Sequence, residues 1–222
     1  AIPFMTRFVA ELNHPKRRVE GLQSAIVTGP EGEEVFTDEY GRVKVQFHWD
    51  RRGQRDQTSS CWVRVADTWA GANFGAISLP RIGQEVLVEY MEGDPDRPVI
   101  TGRVYNAINR PPWNLPQQKT LAGIQSREFR GGLRNQLVFD DTQGESQSQL
   151  ASDYGATQVN LGHITRINHG EGRKEFRGEG IEVRTDQYGA IRAAKGLALT
   201  TDGRTGAASQ VMDLAEAIAA LT

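Results

Sequence analysis

RVKVQFHWD, residues 42–50, is the stretch that decides the fold of the first half of this chain. Its apolar and polar residues alternate strictly, and this period of two is typical of a half-buried β-strand. Successive side chains of a strand point to opposite faces, so one face of this strand is expected to lie on a core. The side chains expected on the core face are Val43, Val45, Phe47 and Trp49.

Several further short strands are predicted around this one. The turn cluster TDEYG at 37–41 precedes it, so residues 33–50 are predicted to form a hairpin. The other predicted strands are CWVRVAD at 61–67, QEVLVEY at 84–90 and VITGRVY at 99–105. About five short strands in roughly 90 residues predict a small closed β-barrel or a sandwich.

The stretch EGDPDRPVITGRVYN, residues 92–106, concentrates acids and prolines between two of these strands. Asp94 and Asp96 are two residues apart, as ligands in metal-binding loops often are. Pro95 and Pro98 have no backbone N–H and fix φ, which suits a loop. A carboxylate metal site needs more oxygen ligands than this stretch supplies. We therefore predict a turn here, with a binding loop as the alternative and with no metal site and no catalytic site.

Residues 117–206 have a different composition. Only 20 of these 90 residues are Val, Ile, Leu, Met, Phe, Trp or Tyr, against 28 of 90 in residues 21–110. Short alternating pieces persist, including GIEVRT at 180–185, and TDQYGAIRA at 185–193 repeats the turn-then-strand pattern of residues 37–45. Such a segment is either disordered or ordered only against other copies of the chain. Period-two runs bounded by turn residues favour the second alternative.

The last residues, 209–222, predict the one clear helix. Ser209 is a suitable N-cap residue. An apolar face then follows at helical spacing, and it indicates a packing helix or a seam between chains. It is formed by Val211, Leu214, Ala215, Ile218 and Leu221.

Composition limits the classes of function. The net charge is -2, so the basic excess of a typical nucleic-acid-binding protein is absent. Cys61 is the single cysteine, and an intramolecular disulfide or a CxxC metal site is therefore impossible. No stretch approaches the ~20 apolar residues of a transmembrane helix, and no signal-peptide pattern begins the chain. The chain opens on Ala1, and we expect a fragment of a longer protein.

The usual catalytic motifs are missing: there is no HExxH, GxSxG, P-loop or GxGxxG. Among the histidines, His48 is expected to face solvent or a loop. His163 and His169 are an even number of residues apart, so on one strand they would share a face, and in a trimer they could gather near the axis. We expect ordinary packed or exposed histidines instead, and we predict no catalytic, cofactor-binding or metal-binding residues.

The four tryptophans allow another interpretation. Trp49, Trp62, Trp69 and Trp113 could form a stacking platform for bases, as on oligonucleotide-binding barrels. Trp49 is expected in the core, whereas Trp69 and Trp113 lie in predicted loops and are expected to be exposed. Because the basic excess is absent, we do not expect nucleic-acid binding.

Together these motifs resemble the VgrG spike proteins of the bacterial type VI secretion system. TDEYGRVKVQFHWDRRG, SSCWVRVAD, GAISLPRIGQEVLVEYMEGDPDRPVITGRVYN, PPWNLP, NQLVFDD and RGEGIEVRTDQYGAIRAAKGLALTTDGR occur in the order typical of that family, over about residues 19–206. The resemblance implies an all-β chain: a small oligonucleotide/oligosaccharide-binding (OB) type barrel, an intertwined three-chain β-helix or β-prism shaft, and a short C-terminal helix. The expected limits are the end of a hub at 1–20, barrel 21–110, linker 111–124, trimeric shaft 125–208 and helix 209–222.

The resemblance also implies a structural, membrane-puncturing spike rather than an enzyme. The implied partners are two further copies of the chain, an Hcp tube bound through a hub upstream of Ala1, a PAAR-repeat tip protein, and effector proteins. The spike would be assembled in the bacterial cytoplasm and then injected into a target cell. Two alternatives are a spike with peptidoglycan-hydrolase activity and an oligonucleotide- or glycan-binding barrel. A catalytic domain needs at least ~50 residues, and no insertion of that size separates the two halves.

Overall fold

The computed structural model of the protein describes residues 16–201 and the single residues Gly203, Gly206, Gln210 and Ile218. Apart from the last two of these, the helix predicted at 209–222 lies outside the described residues, as does His14. The regular secondary structure of the described chain is almost entirely β, which confirms the predicted all-β class. It forms a barrel followed by a separate five-stranded sheet.

The barrel is built from five strands, and a small two-stranded hairpin projects from it. The barrel strands are β1 (Gln23–Thr28), β2 (Lys44–Phe47), β3 (Arg64–Val65), β6 (Glu85–Tyr90) and β7 (Pro98–Val104). The hairpin strands are β4 (Ala70–Gly71) and β5 (Phe74–Gly75). The order of the barrel strands is β2-β1-β6-β7-β3, with β4 and β5 forming the hairpin. An antiparallel bridge between Val43 and Val63 joins the two ends of this order and closes the barrel.

The interior of the barrel is filled by small β-branched side chains, because a five-stranded barrel encloses little space. Val43 and Val45 are fully buried there, as their alternation predicted. The remaining members of this core are Ala25, Val27, Val63, Val86, Val88 and Ile100. Core residues alternate along β1, β2 and β6, and for β2 the period of two identified the inward side correctly at Val43 and Val45.

The hairpin predicted at 33–50 is wrong in its pairing. Strand β2 pairs with β1, and the long loop 29–43 connects the two strands. In this pairing Val45 stands opposite Val27. TDEYG is a turn as predicted, and it is held by the Asp38 carboxylate. Oδ1 of Asp38 accepts hydrogen bonds from the backbone N–H groups of Tyr40, at 3.0 Å, and Arg42, at 2.9 Å. A turn cluster alone does not specify which strands it connects.

The second sheet consists of five antiparallel strands, each paired with its neighbours in sequence. They are β8 (Leu121–Gln125), β9 (Asn135–Asp140), β10 (Gln147–Ser152), β11 (Thr157–Asn168) and β12 (Gly172–Arg184). The single chain forms this sheet from its own strands, so for residues 121–184 both alternatives, disorder and order only against other copies of the chain, are wrong. Residues 185–201 contain no strand, so the strand expected in TDQYGAIRA is not present in the single chain.

The long β11–β12 hairpin bends back over one face of the second sheet. Its register shifts between Ile164 and Thr165 and again between Thr165 and Ile167. Such shifts bend a strand and re-aim its side chains. Ile167 then packs in a small buried cluster with Trp113, Leu121 and Val138. This face of the second sheet is consequently interior, whereas the opposite face has no cover within the described chain.

Gly123 shows how closely these strands approach one another. Its φ is +148°, and a Cβ built at this position would lie 2.1 Å from the carbonyl oxygen of Leu137 on the next strand. Glycine is therefore required here by both the backbone conformation and the available space. The glycines of this half were a prominent feature of the sequence, and at this position one serves strand packing rather than chain flexibility.

Candidate functional site

The uncovered side of the second sheet, hereafter the apolar face, carries two rows of side chains that cross all five strands. Cross-strand partners in a sheet point to the same side. The first row, read from the registers, is Ile124, Leu137, Leu150, Val159 and Val183. The second row is Ala122, Phe139, Ser148, Leu161 and Ile181. Eight of these ten side chains are Val, Ile, Leu or Phe.

Most of the apolar face is open to solvent in the single chain. The exposed fractions of Ile124, Leu150 and Val183 are 72%, 59% and 71%. Soluble monomers rarely expose a contiguous apolar patch of this kind, and one that crosses a whole sheet indicates a contact surface for another protein chain. The apolar face is the strongest candidate functional site in the described residues.

The interior side of the same sheet is held by side-chain amides, hereafter the amide ladder. Nε2 of Gln125 donates to Oε1 of Gln136 at 3.1 Å, and Nε2 of Gln136 donates to Oε1 of Gln149 at 2.5 Å. Nε2 of Gln149 donates to Oδ1 of Asn160 at 2.8 Å, and Nδ2 of Asn160 donates to Oε2 of Glu182 at 2.8 Å. A continuous series of side-chain hydrogen bonds therefore spans all five strands.

Gln147 joins the amide ladder to the folded-over hairpin. Its Nε2 donates to the backbone carbonyl of Thr165 at 3.1 Å, and its Oε1 accepts from the Thr165 backbone N–H at 2.8 Å. Gln147, Gln149, Asn160 and Thr165 are all buried. Buried polar groups stabilise a fold only when their partners are present, and here the partners are supplied from neighbouring strands. The interior thus orders this half without a large apolar core.

A buried ion pair lies at one end of the interior. The Asp140 side chain is fully buried, and its Oδ2 is 3.0 Å from Nε of Arg173 in a geometry that is not a hydrogen bond. Oδ1 of Asp140 accepts from Oγ1 of Thr142 at 2.6 Å. The Arg173 guanidinium also contacts Glu145. These contacts pin the start of β12 to the end of β9.

The two histidines of the second half do not come together. His163 lies in β11, whereas His169 follows the end of that strand at Asn168, so their even spacing does not place them on one face of a strand. His163 stacks on Phe176 with 4.4 Å between ring centroids. His169 contacts the Asp153 carboxylate through Nε2, and its Nδ1 lies 3.2 Å from Nε2 of Gln125. His169 is therefore an extension of the amide ladder.

The stretch at 92–98 is the loop of the β6–β7 hairpin, as predicted. Asp94 holds this turn: its Oδ1 accepts from the Asp96 backbone N–H at 3.0 Å, and its Oδ2 lies 2.5 Å from Nζ of Lys16. The Lys16 contact, followed by that N–H bond, keeps the pKa of Asp94 below its usual value. Within the described residues, no group of three His, Cys, Asp or Glu side chains could hold a metal ion.

The tryptophans are dispersed and do not form one platform. Trp49 was predicted in the core and is instead 66% exposed, because β2 ends at Phe47 and the alternation stops with it. Trp113 was predicted exposed and is instead buried in the cluster below the second sheet. Trp62 packs on Phe36, whereas Trp69 is exposed as predicted and contacts Phe74 on the β4–β5 hairpin.

His48 is exposed, as predicted for the polar side of its strand. The structure describes no helix long and apolar enough to cross a membrane.

Comparison with known families gives two matches, which together account for most of the chain. Residues 32–105, which include most of the barrel, match the family described as "Type VI secretion system/phage-baseplate injector OB domain". Residues 127–222 match the family described as "Putative type VI secretion system Rhs element Vgr". The first match thus covers the barrel except β1, and the second covers strands β9 to β12 of the second sheet.

Curated relatives are also named as spike proteins of the type VI secretion system. The chain is 51% identical over 199 residues to "Type VI secretion system spike protein VgrG2a" of Pseudomonas aeruginosa, a match that covers 90% of this chain and 23% of that protein. It is 54% identical over 138 residues to VgrG1a of the same species, covering 61% of this chain and 22% of the relative.

A third relative has a different name. "Actin cross-linking toxin VgrG1" of Vibrio cholerae is 46% identical over 159 residues, and the match covers 71% of this chain and 14% of the toxin. The chain thus spans less than a quarter of the length of each of these three relatives.

Proposed function

The chain belongs to the VgrG family of type VI secretion spike proteins, and we propose that it forms the collar and the adjoining shaft of a trimeric spike. The barrel is the collar, and the second sheet is the first part of the shaft. Three copies place their apolar faces against one another, and this contact is what holds the shaft together.

The apolar face is the observation that supports this proposal. Its two rows cross five strands, so a partner that covers it buries side chains from every strand of the second sheet at once. Burial of apolar surface is the main favourable contribution to association. Closed symmetric oligomers are the usual arrangement for identical chains. The face supports self-association, and the number three comes from the sequence resemblance.

The proposed role is mechanical. A shaft whose strands are cross-linked by the amide ladder, and whose apolar faces are buried between chains, resists bending under axial load. The partners we propose are those expected of a VgrG spike: the Hcp tube at the hub end, a PAAR-repeat protein at the tip, and effector proteins as cargo. The spike is assembled in the cytoplasm and then driven out of the cell into a target.

We propose no catalytic activity for this chain. The toxin named among the relatives shares only 14% of its length with it, so the name of that toxin is not transferred. Incubation with peptidoglycan tests the hydrolase alternative, and release of soluble fragments would support it. Filter binding of oligonucleotides over a salt series tests the nucleic-acid alternative, since phosphate contacts weaken steeply with salt.

Absolute mass in solution is the experiment that tests the proposal. Light scattering on a sizing column should give about three times the 24.6 kDa of one chain. A mass of two chains would keep the apolar face as an interface and reject the trimer. A mass of one chain at micromolar concentration would reject self-association through this face.

A further inference from the structure

Glu34 lies at the junction between the barrel and the second sheet. It belongs to the β1–β2 loop, and its own backbone carbonyl accepts a 3.0 Å hydrogen bond from the N–H of Ile82, in the loop before β6. The side chain is thus held in place from the barrel side. Its carboxylate points toward the β8–β9 loop, residues 126–134, of the second sheet.

Three donors converge on this carboxylate. Nη1 of Arg81 donates to Oε1 at 2.7 Å, and the backbone N–H of Arg130 donates to Oε2 at 2.7 Å. The Arg127 guanidinium also contacts Oε1. Hydrogen bonds to an ionised acceptor are the strong kind. The Arg130 N–H, then Arg127 and Arg81, lower the pKa of Glu34 to about 2.

Two of these donors, Arg127 and Arg130, lie in the β8–β9 loop of the second sheet, and backbone hydrogen bonds hold this loop in place. Ser126 N–H donates to Asn135 O at 2.8 Å, and Glu128 N–H donates to Leu133 O at 2.7 Å. Arg130 has a φ of +54°, a left-handed conformation that costs free energy for a residue other than glycine. The backbone N–H that donates to Oε2 of Glu34 belongs to this strained residue.

Two flanking contacts complete the junction. Nη2 of Arg81 donates to the carbonyl of Arg127 at 2.5 Å, and Nη2 of Arg130 lies 2.9 Å from both carboxylate oxygens of Glu33. Between residues 16–104 and 121–184 of the described chain, all the direct hydrogen bonds and ion pairs run through five residues. They are Glu33, Glu34, Arg81, Arg127 and Arg130, hereafter the latch.

We infer that the latch sets the orientation of the second sheet on the barrel, with Glu34 as its central residue. The connection between the two units is bound to both of them: Asn106 and Asn109 bind the barrel at Glu85 and Gly83, and Trp113 is buried below the second sheet. Only residues 110–112 span between them, and the described strands of the two units share no backbone hydrogen bonds. The latch is therefore the side-chain contact that fixes the angle between collar and shaft about this short span. Its biological purpose rests on the proposed spike function, but its existence does not.

Spin-label distances in the full chain test this inference. The native Cys61 is exposed on the barrel and provides one labelling site. Tyr154→Cys, at an exposed position in the turn between β10 and β11, provides the other. Labelled chains are diluted with unlabelled Cys61→Ser chains so that only distances within one chain are measured. Glu34→Gln is expected to broaden the distance distribution, whereas Glu31→Gln, which changes an exposed acid of the same loop, should leave it unchanged.

Hydrogen exchange provides a second readout that does not depend on labels. In Glu34→Gln the Arg130 amide should exchange about tenfold faster, because a neutral acceptor holds the amide less strongly than a carboxylate. Amides of β10 and β11 should keep their protection, which shows that the second sheet remains folded. Unchanged distances together with unchanged Arg130 exchange would overturn the latch.

Mass measured on the same samples separates the latch from the spike proposal. A trimer in which neither the distances nor the Arg130 exchange responds to Glu34→Gln refutes the latch and leaves the spike intact. A monomer whose distances do respond refutes the trimer and leaves the latch intact.

Discussion

Leu137 and Leu150 stand directly opposite each other on neighbouring strands, and both side chains point away from the interior of their own sheet. They are 40% and 59% exposed, whereas Gln136, next to Leu137 in sequence, is 5% exposed. The usual arrangement of a two-faced sheet is thus reversed: amides are inside and leucines outside. In the proposed assembly a second chain covers the leucines, so both faces would be interior, and this accounts for the inversion.

The first prediction concerns the apolar face. Leu150→Asp places a charge at the centre of its first row, and burying an unpaired charge costs several kcal/mol. The variant should therefore elute as a single chain with a mass near 24.6 kDa, measured by light scattering. Leu22→Asp makes the same change at an exposed leucine outside the face and should leave the assembly intact. Loss of assembly in both variants would contradict a specific role for the face.

The second prediction concerns Gly123. Gly123→Ala introduces a Cβ 2.1 Å from the Leu137 carbonyl oxygen at a φ of +148°. Strand β8 must move or detach, and we expect a loss of roughly 2–4 kcal/mol of stability. Urea unfolding followed by circular dichroism measures it. Gly132→Ala is the matched control, because nothing lies within 4 Å of its added Cβ. Equal midpoints for the two variants would show that β8 is not tightly packed.

The barrel could be predicted from sequence because its core follows one local rule. Val43 and Val45 alternate with polar residues, and in a small barrel each inward position is apolar. The same rule failed at Trp49, since it gives no signal for where a strand ends. It also missed Gln46, which is buried because its side chain binds the 50–59 loop, including the Arg55 N–H at 2.7 Å.

The candidate site was harder to predict than the fold. A period of two identifies two faces but does not say which is interior, and in β9 the interior face carries Gln136 and Asp140. The number of apolar side chains underestimates the order of residues 117–206. The amide ladder stabilises the sheet through hydrogen bonds and needs few apolar side chains, so this count gave no sign of it. The latch joins Glu34 to Arg127, 93 residues away, and sequence alone carries no signal for such a pairing.

The third prediction concerns the amide ladder. Gln149→Leu removes one acceptor and one donor from its centre and leaves Nε2 of Gln136 and Oδ1 of Asn160 without these partners. A buried polar group without its partner costs about 1–3 kcal/mol, so thermal unfolding at fixed chain concentration should show a clear loss of stability. Gln143→Leu, at an exposed position in the β9–β10 loop, should be neutral. A Gln149→Leu variant as stable as the parent chain would show that the ladder does not stabilise the sheet.

The fourth prediction concerns the response of the latch to pH and salt. The folded-state pKa of Glu34 is about 2, below its ordinary value of 4.5. Its contribution is therefore fully present above about pH 4.5 and is lost only as the pH falls toward 2. The charged groups around it are Glu33, Arg81, Arg127 and Arg130. The spin-label distances should be the same at pH 7 and pH 5, and should broaden only as the pH falls toward 2.

Salt should act on the latch differently from mild acid. Arg127 and Arg130 are more than half exposed, so their attraction to Glu34 and Glu33 is screened as the Debye length falls to about 3 Å at 1 M salt. We expect a broader Cys61–Tyr154→Cys distance distribution at 1 M salt than at 0.1 M, with Glu34→Gln already broad at both. If mild acid at pH 5 opens the junction while high salt does not, a histidine, and not the Glu34 carboxylate, controls it.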